Sequence, residues 1–529
     1  MGRPDAARLA VRRTTGDRRQ SHLTAIAARL ARLRGWRADL AALGLGVVSA
    51  AALPPVHAIP LLLVAVPGLL VLVEASRGWA VAFRRGWWFG FGHHLVGLYW
   101  ITEAIMVEAA RFWWFVPIAV PALSALLAVF IAAPVAFSRA VRPGWRRALA
   151  LAGAWTLADI ARQFVLSGFP WNPWGSVWAI PGALGDVFLQ LAALIGGPGL
   201  TFLTVLLAAL PRSGWRAAGL SGALLGAWAV FGLARLQAPD PSAQGVTIAL
   251  IQGNVSQGQK WTRALAGDIF QRYLALTRTA VTEAGPGAKV VVWPETASPF
   301  LLETDEAARA AIADAALGAP LLAGTVRFDA DNRPRNALAA ITGTGAVAAL
   351  YDKWHLVPFG EFQPEWFPLP VQIVPGGGFA AGPGPRTLHA PGLPAVGPMI
   401  CYEAIFPGEL VDSNDRPAWL VNVTNDAWFG NSTGPRQHLA AARMRAVELG
   451  LPLMRAANTG ITAGFDSRGR ELGRIPMRQP GILTLTLPGA ATETPFARYG
   501  LLLPLILSMV AITVAFTGFS SELRQKLTR

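Results

Sequence analysis

The stretch Pro398-Met399-Ile400-Cys401-Tyr402-Glu403 holds the one cysteine of this 529-residue chain. An apolar run from Ala395 to Ile400 leads into it, and a glutamate follows two residues later. This pattern predicts a buried strand that carries a thiol to its C-terminal end, where α/β folds place their chemistry. Taken alone, a cysteine in an apolar strand is more often an inert small hydrophobe. The surrounding sequence decides between these two interpretations.

Short β-prone runs recur on both sides of this strand, between residues 240 and 488, and amphipathic helical stretches lie between several of them. Strands that alternate with helices predict an α/β sheet domain. The predicted strands are Val246–Gln252, Lys289–Trp293, Leu321–Val326, Ala346–Tyr351, Val396–Cys401, Trp419–Thr424, Ile461–Phe465 and Ile482–Leu487. The predicted helices are Asp268–Thr282, Thr304–Ala316 and Pro435–Leu449.

The region before this domain has the composition of a membrane protein. The whole chain is 53% hydrophobic, has a mean hydropathy of +0.41 and is only 15% charged, whereas soluble proteins carry about 25% charged residues. A bilayer-spanning helix needs about 20 apolar residues. The pattern predicts an all-α bundle of about eight transmembrane helices, at 38–54, 57–74, 86–107, 113–137, 147–166, 188–210, 215–235 and 497–517.

Arginine placement predicts the orientation of these spans. The net charge is +15, and the basic residues cluster in the first 37 residues and in every second connection. Basic connections face the cytoplasm, so seven crossings place the residues after about 236 outside it. Clustering at span ends also favours anionic lipid over nucleic acid as the partner of these charges. The basic connections contain Arg77, Arg84, Arg85, Arg139, Arg142, Arg146, Arg147, Arg212 and Arg216.

These patterns divide the chain into five parts. They are a basic cytoplasmic tail (1–37), a seven-helix transmembrane domain (38–236), an extracytoplasmic α/β domain (237–490), a C-terminal transmembrane helix (497–517) and a cytoplasmic tail (518–529).

Three segments of the α/β domain place a reactive residue at or just after a predicted strand: Glu295, Lys353 and Cys401. A carboxylate, an amine and a thiol can together perform acyl transfer. The carboxylate takes the thiol proton, the thiolate attacks a carbonyl carbon, and the ammonium stabilises the oxyanion. The chain has only four lysines against 42 arginines, so a lysine in such a segment suggests that an amine is needed there.

Three separated motifs resemble the nitrilase (carbon–nitrogen hydrolase) superfamily. They are Trp293-Pro294-Glu295, Lys353 with Pro358-Phe359-Gly360-Glu361 after it, and Cys401-Tyr402-Glu403. With spans before and after the domain, the whole chain apart from its basic tail resembles the apolipoprotein N-acyltransferase family. Further segments that carry this resemblance are Gly168-Phe169-Pro170-Trp171, Gln252-Gly253-Asn254, Thr424-Asn425-Asp426-Ala427-Trp428-Phe429-Gly430 and Gln437-His438.

The resemblance implies an α-β-β-α sandwich and assigns roles to particular residues. Glu295 would be the general base, Lys353 the oxyanion partner and Cys401 the nucleophile. Supporting positions would be Glu361, Tyr402 and Glu403. Substrate-binding positions would be Trp261, in a loop over the site, and Trp428, Phe429 and His438.

The resemblance also implies a reaction, a location and partners. An acyl chain would pass from a membrane phospholipid, through a Cys401 thioester, to the N-terminal amine of a diacylglyceryl-cysteine on an apolipoprotein. The enzyme would be a multi-pass protein of the bacterial inner membrane, with its catalytic domain on the periplasmic side. We expect a monomer without cofactor, metal or nucleic acid; the histidines show no metal-ligand spacing.

Two other functions are compatible with the same residues. A membrane-tethered amidase or nitrilase would use the same three groups, with water as the acyl acceptor. A transporter or receptor could carry an inactive outer domain, although the spans show no obvious repeat halves and few intramembrane charges.

Overall fold

The computed structural model describes residues 25–107, 109–260, 262–365 and 378–517. Most of the predicted tail 1–37, all of the tail 518–529 and Trp261 lie outside these residues. The N-terminal part is helical. Its helices are α1 (25–32), α2 (Gly35–Ala50), α3 (Leu62–Glu74), α4 (Trp79–Gly97), α5 (Ile101–Met106), α6 (Ala109–Phe112), α7 (Val116–Leu127), α8 (Val129–Phe137), α9 (Trp145–Ala161), α10 (Ala183–Leu189), α11 (Ala192–Ala209) and α12 (Trp215–Gln237).

The prediction of about eight spans is wrong, because few of the described helices are long and apolar enough to cross a membrane. Among the described residues, three helical segments are long and apolar enough to cross a membrane: Trp113–Ala140, Ala192–Ser213 and Trp215–Gln237. All eight predicted segments contain helix, but α2 has 16 residues, α3 has 13 and α9 has 17. Such helices are shorter than the roughly 20 residues that span a bilayer. Prolines, glycines and connections break the apolar runs earlier than hydropathy suggests.

The remaining described residues form two six-stranded sheets with helices around them. The strands are β1 (Val246–Gln252), β2 (Ala288–Val292), β3 (Leu321–Phe328), β4 (Pro334–Ile341), β5 (Val347–Asp352), β6 (Leu388–Ala390), β7 (Leu393–Ile400), β8 (Trp419–Thr424), β9 (Leu453–Ala457), β10 (Thr462–Phe465), β11 (Glu471–Ile475) and β12 (Gly481–Thr486). The helices are α13 (Gln257–Lys260), α14 (Ala266–Glu283), α15 (Glu306–Ala315), α16 (Gly434–Leu449), α17 (Pro495–Tyr499) and α18 (Leu502–Phe516).

The sheets pack face to face, and their central strands are parallel. Their strand orders are β12-β1-β2-β3-β4-β5 and β11-β10-β9-β8-β7-β6. Val290 and Val292 point into the core between the sheets, while Val291 and Trp293 point to the layer with α14 and α15. This strand is a continuous apolar run because both of its faces are covered. The predicted α-β-β-α layering therefore describes this part of the chain.

Helix α16 joins the α/β part to the helical bundle. Its Leu439, Ala442 and Ala446 pack on the outer face of the second sheet, whereas Ala440, Met444 and Val447 pack into the bundle core. Polar contacts fix the same junction. Arg443 donates to Asp186 over 2.6 Å, and the backbone N–H of Gly197 donates to Glu448 over 2.7 Å. The second sheet is thus held against the bundle through α16.

Candidate active site

The predicted reactive residues follow the C-terminal ends of three strands, two in the first sheet and one in the second. Glu295 follows β2, Lys353 follows β5 and Cys401 follows β7. Both Glu295 and Cys401 lie at sharp turns: Thr296 has φ +43° and Cys401 has φ +52°. Left-handed backbone is unfavourable for residues with a Cβ and recurs where a site must present a side chain. The fold thus brings the three residues to one region between the sheets.

Lys353 is shared by two carboxylates in a buried network. Its Nζ lies 3.3 Å from Oε1 of Glu295 and 2.8 Å from Oε2 of Glu361. The side-chain amide of Asn336, on β4, donates to Oε1 of Glu295 over 2.7 Å and to Oε1 of Glu361 over 2.9 Å. Oε2 of Glu295 accepts from the backbone N–H of Asn425 over 2.8 Å. Both oxygens of Glu295 are therefore held in place.

These contacts set the protonation of the network. Burial alone would raise the pKa of Glu295, but the Lys353 and Lys260 ammonium groups and the Asn336 and Asn425 donors outweigh it and lower the pKa. Burial opposes the charge on Lys353, yet the carboxylates of Glu361 and Glu295 raise its pKa. Burial and the nearby Glu295 carboxylate raise the pKa of the Cys401 thiol, against the pull of Lys353. The resting site is a thiol beside a carboxylate and an ammonium.

Glu403 joins the turn that carries Cys401 to the segment after Lys353. Its Oε2 accepts from the Ile400 N–H over 2.6 Å, and its Oε1 accepts from the Trp354 N–H over 2.8 Å and from the Tyr351 hydroxyl over 3.0 Å. Burial raises the pKa of this fully buried carboxyl to about 7 despite these donors. One side chain thus fixes the spacing of two strand ends.

Tyr402 connects the turn that carries Cys401 to the helical bundle. Its hydroxyl donates to the Gly168 carbonyl over 2.8 Å, in the loop that follows α9. An apolar cluster surrounds it at the junction of the two parts. The cluster contains Leu98, Trp100, Leu127, Trp171, Ile405 and Phe406, with Phe169 and Phe429 packed against it. Apolar side chains from both parts of the chain therefore adjoin the turn that carries Cys401.

The predicted substrate-binding residues lie in different environments. Trp428 is 39% exposed, whereas Phe429 is half-buried with its ring centroid 4.6 Å from that of Trp100. His438 is fully buried, and both of its ring nitrogens face atoms of the protein. Its predicted role in substrate binding stays a prediction. Trp261 lies outside the described residues.

Several polar residues of the site were not predicted from the sequence. Asn336 lies on β4. The alanines of this segment do not predict a strand, so no signal in the sequence indicated Asn336. Arg455 is a charge inside the apolar strand β9, and such a buried charge is a usable signal. Lys260 is one of the four lysines; its Nζ donates to the Glu295 carbonyl over 2.9 Å. Burial lowers the pKa of Lys260 to about 8, against the attraction of Glu295 and Cys401.

Cys401, Asp426 and His438 have the residue types of a metal site. One potential ligand atom from each lies within 4.8 Å of the others. Both carboxylate oxygens of Asp426 are already used, since Oδ1 accepts from Thr424 over 3.0 Å and Oδ2 from Arg455 over 2.7 Å. The group is thus joined to its neighbours by hydrogen bonds and an ion pair.

Comparison with known proteins matches both parts of the chain. Residues 45–210 match the apolipoprotein N-acyltransferase N-terminal domain, and residues 247–496 match the carbon–nitrogen hydrolase domain. The apolipoprotein N-acyltransferase of Bradyrhizobium diazoefficiens is 40% identical over 515 residues, which cover 91% of this chain and 95% of the relative. The chain belongs to the apolipoprotein N-acyltransferase family.

Another N-acyltransferase, from Rhodopseudomonas palustris, is 38% identical over 91% of this chain and 95% of its own. A solved amidase from Nesterenkonia sp. is 19% identical, with a TM-score of 0.36, and covers 47% of this chain and 92% of its own. The predicted resemblance and the prediction of an acyltransferase are confirmed by the family matches. Membership of this family argues against both alternative functions, a membrane-tethered amidase or nitrilase and a transporter or receptor with an inactive outer domain.

Proposed function

We propose that this apolipoprotein N-acyltransferase takes its acyl chain from a membrane phospholipid and carries it on Cys401 as a thioester. Activity on apolipoproteins follows from the family membership. The donor, the covalent intermediate and the residue roles are our proposal. The single observation that carries it is the buried group of Glu295, Lys353 and Glu361 beside the buried Cys401 thiol.

In the first half-reaction, Glu295 accepts the thiol proton while the sulfur attacks the ester carbonyl carbon of the phospholipid. The lowered pKa of Glu295 and the raised pKa of Cys401 mean that this proton moves during the attack. The ammonium of Lys353 stabilises the oxyanion. The C–O bond then breaks, and Glu295 returns the proton to the leaving lysophospholipid.

In the second half-reaction, the amine of the diacylglyceryl-cysteine attacks the thioester. An α-amine has a pKa near 8, so a neutral fraction is available at neutral pH. The C–N bond forms and the C–S bond breaks. Glu295 takes the amine proton and passes it to the departing thiolate, which restores the thiol.

The apolar cluster around Tyr402 is suited to an acyl chain. It contains side chains from the bundle and from the catalytic part, including Trp100, Trp171 and Phe406. Trp428 and Phe429 lie in the loop after β8, at the edge of this cluster. We propose that these aromatic residues contact the lipid substrates, since apolar surface lowers the cost of withdrawing a chain from the bilayer.

The test is to incubate the purified enzyme with phospholipid that carries a labelled acyl chain. We expect lysophospholipid release and a labelled peptide containing Cys401 that neutral hydroxylamine cleaves. Cys401→Ala should give neither product, whereas the exposed control Ser413→Ala should give both. Labelled acyl-enzyme in Cys401→Ala would contradict the nucleophile, and wild type that never releases lysophospholipid would contradict the donor.

We further propose a multi-pass inner-membrane protein with a periplasmic catalytic domain. Single cysteines placed in a Cys401→Ala background test this. In intact spheroplasts, a membrane-impermeant maleimide should label Gly258→Cys in the catalytic part, and Arg77→Cys only after permeabilisation. The reverse pattern would contradict the orientation. A monomer is proposed as well; a dimer mass in detergent, measured by light scattering, would contradict it.

A further inference from the structure

The backbone carbonyl of Cys401 is hydrogen-bonded to the end of a buried chain of polar side chains. His438, on α16, has its Nε2 2.9 Å from the carbonyl oxygen of Cys401 and its Nδ1 2.9 Å from Oδ1 of Asp426. Arg455, on β9, donates from Nη2 to Oδ2 of Asp426 over 2.7 Å. His438, Asp426 and Arg455 are each no more than 1% exposed. The chain of contacts is Arg455–Asp426–His438–Cys401.

The partners of His438 fix the orientation of its ring. A carbonyl oxygen only accepts hydrogen bonds, so Nε2 donates to Cys401. Nδ1 lies 2.9 Å from Oδ1 of Asp426 and 3.2 Å from Nη2 of Arg455. Although burial alone would raise it, the pKa of Asp426 is lowered to about 2, chiefly by the charge of Arg455.

The imidazole ring is close to the thiol. A ring nitrogen of His438 lies within 4.8 Å of Cys401 Sγ. The backbone bond acts at the same place, because Cys401 has φ +52° and its carbonyl direction depends on that turn. A left-handed residue other than glycine costs of order 1–3 kcal/mol and persists only when its surroundings hold it. His438 supplies a hydrogen bond that does so.

We propose that His438, oriented by Asp426 and Arg455, is a positioning residue for the acyl-transfer reaction: through its hydrogen bond to the Cys401 carbonyl it holds the turn that presents the sulfur. The charged groups that act on the thiol are Glu295, Lys353, Asp426 and Lys260. The proposal rests on Cys401 being the nucleophile.

Alkylation of Cys401 by iodoacetamide tests this proposal without either lipid substrate. Cys401 is the chain's only cysteine, so the total label reports on it alone. The rate is measured against pH for wild type, His438→Gln, His438→Ala and Asp426→Asn. His389→Gln is the matched control, because His389 pairs with Asp415 over 2.8 Å at the surface.

We expect His438→Ala to lower the alkylation rate, and to lower the rate of acyl-enzyme formation by about 100-fold. His438→Gln should restore part of both rates, since the glutamine amide can donate to the Cys401 carbonyl. Asp426→Asn, which loosens the orientation of the ring, should lower both rates, and His389→Gln should match wild type.

An acyl-enzyme rate in His438→Gln as low as in His438→Ala would overturn the hydrogen-bond role, and so would a wild-type rate in His438→Ala. Should His438→Ala fail to fold, a wild-type rate in Asp426→Asn would overturn the proposal. Wild type that alkylates but never forms an acyl-enzyme would count against the proposed function instead, because the alkylation profile does not depend on it.

Discussion

Nζ of Lys353 lies 2.8 Å from Oε2 of Glu361, closer than the 3.3 Å that separates it from Oε1 of Glu295. The ammonium is therefore anchored by Glu361, and Glu295 keeps a longer contact. This division leaves Glu295 able to accept a proton, while Lys353 stays charged and in place.

Replacing Glu361, which anchors the Lys353 ammonium, should impair catalysis more than folding. In Glu361→Gln, the Lys353 ammonium loses one of its two carboxylates and moves toward Glu295. We expect the rate of acyl-enzyme formation to fall about 100-fold, measured by quenched-flow labelling with phospholipid. The control is Glu303→Gln, which alters a half-exposed carboxylate paired with Arg327 over 3.6 Å. A wild-type rate in Glu361→Gln would contradict the anchoring role.

Asn336 should influence the pH range over which Glu295, the proposed base, is ionised. Its amide helps to lower the pKa of Glu295. Asn336→Ala removes that donor, so the pKa of Glu295 rises and the acidic limb of the pH–rate profile should move to higher pH. We expect about a tenfold lower rate on this acidic limb, which corresponds to a shift of about one pKa unit. The surface variant Asn414→Ala should retain the wild-type profile, and an acidic limb that stays in place would refute this account.

Gly324 should not tolerate a side chain, because it packs against the turn that carries Glu295, the proposed base. A Cβ at this position would lie 2.2 Å from the Pro294 carbonyl oxygen and 2.6 Å from Cα of Glu295. Gly324→Ala must therefore displace the Glu295 turn, and a shift of about 1 Å costs about 100-fold in rate. Gly267→Ala, where the added Cβ meets no atom within 4 Å, should be active. Equal rates in the two variants would contradict the expectation.

Glu403 should make the stability of the protein depend on pH. Its pKa is raised from 4.5 to about 7 in the folded protein. Below pH 4.5 the carboxyl is neutral in both states; between pH 4.5 and 7 only the unfolded state loses the proton. Stability therefore falls across this window, by about 3 kcal/mol for such a shift.

Thermal unfolding in detergent checks this expectation. The melting temperature of wild type should fall from pH 4.5 to 7 relative to Glu403→Gln, and the two curves should run parallel above pH 7. Glu409→Gln, at an exposed position, should follow wild type. Parallel curves throughout the window would mean that Glu403 does not titrate there.

The sequence predicted much of the catalytic part because both faces of its central strands are buried. Runs such as Val246–Gln252 and Trp419–Thr424 match β1 and β8 without error, and reactive residues stand out at strand ends. The strands β4 and β9 were missed because Ala-rich segments favour helix locally and become strands only through their neighbours. Hydropathy likewise located the helical segments of the bundle but overstated their length.

The sequence by itself determined the order of motifs: a carboxylate after β2, a lysine after β5 and a thiol after β7, in a chain with basic, apolar segments. Only the tertiary structure decided which groups hold them. The site receives hydrogen bonds from Asn336, Arg455 and the N–H of Asn425, which lie in segments far apart in the sequence. Hydrogen bonds and charges depend on distances of about 3 Å, and such distances between remote segments exist only once the two sheets have packed.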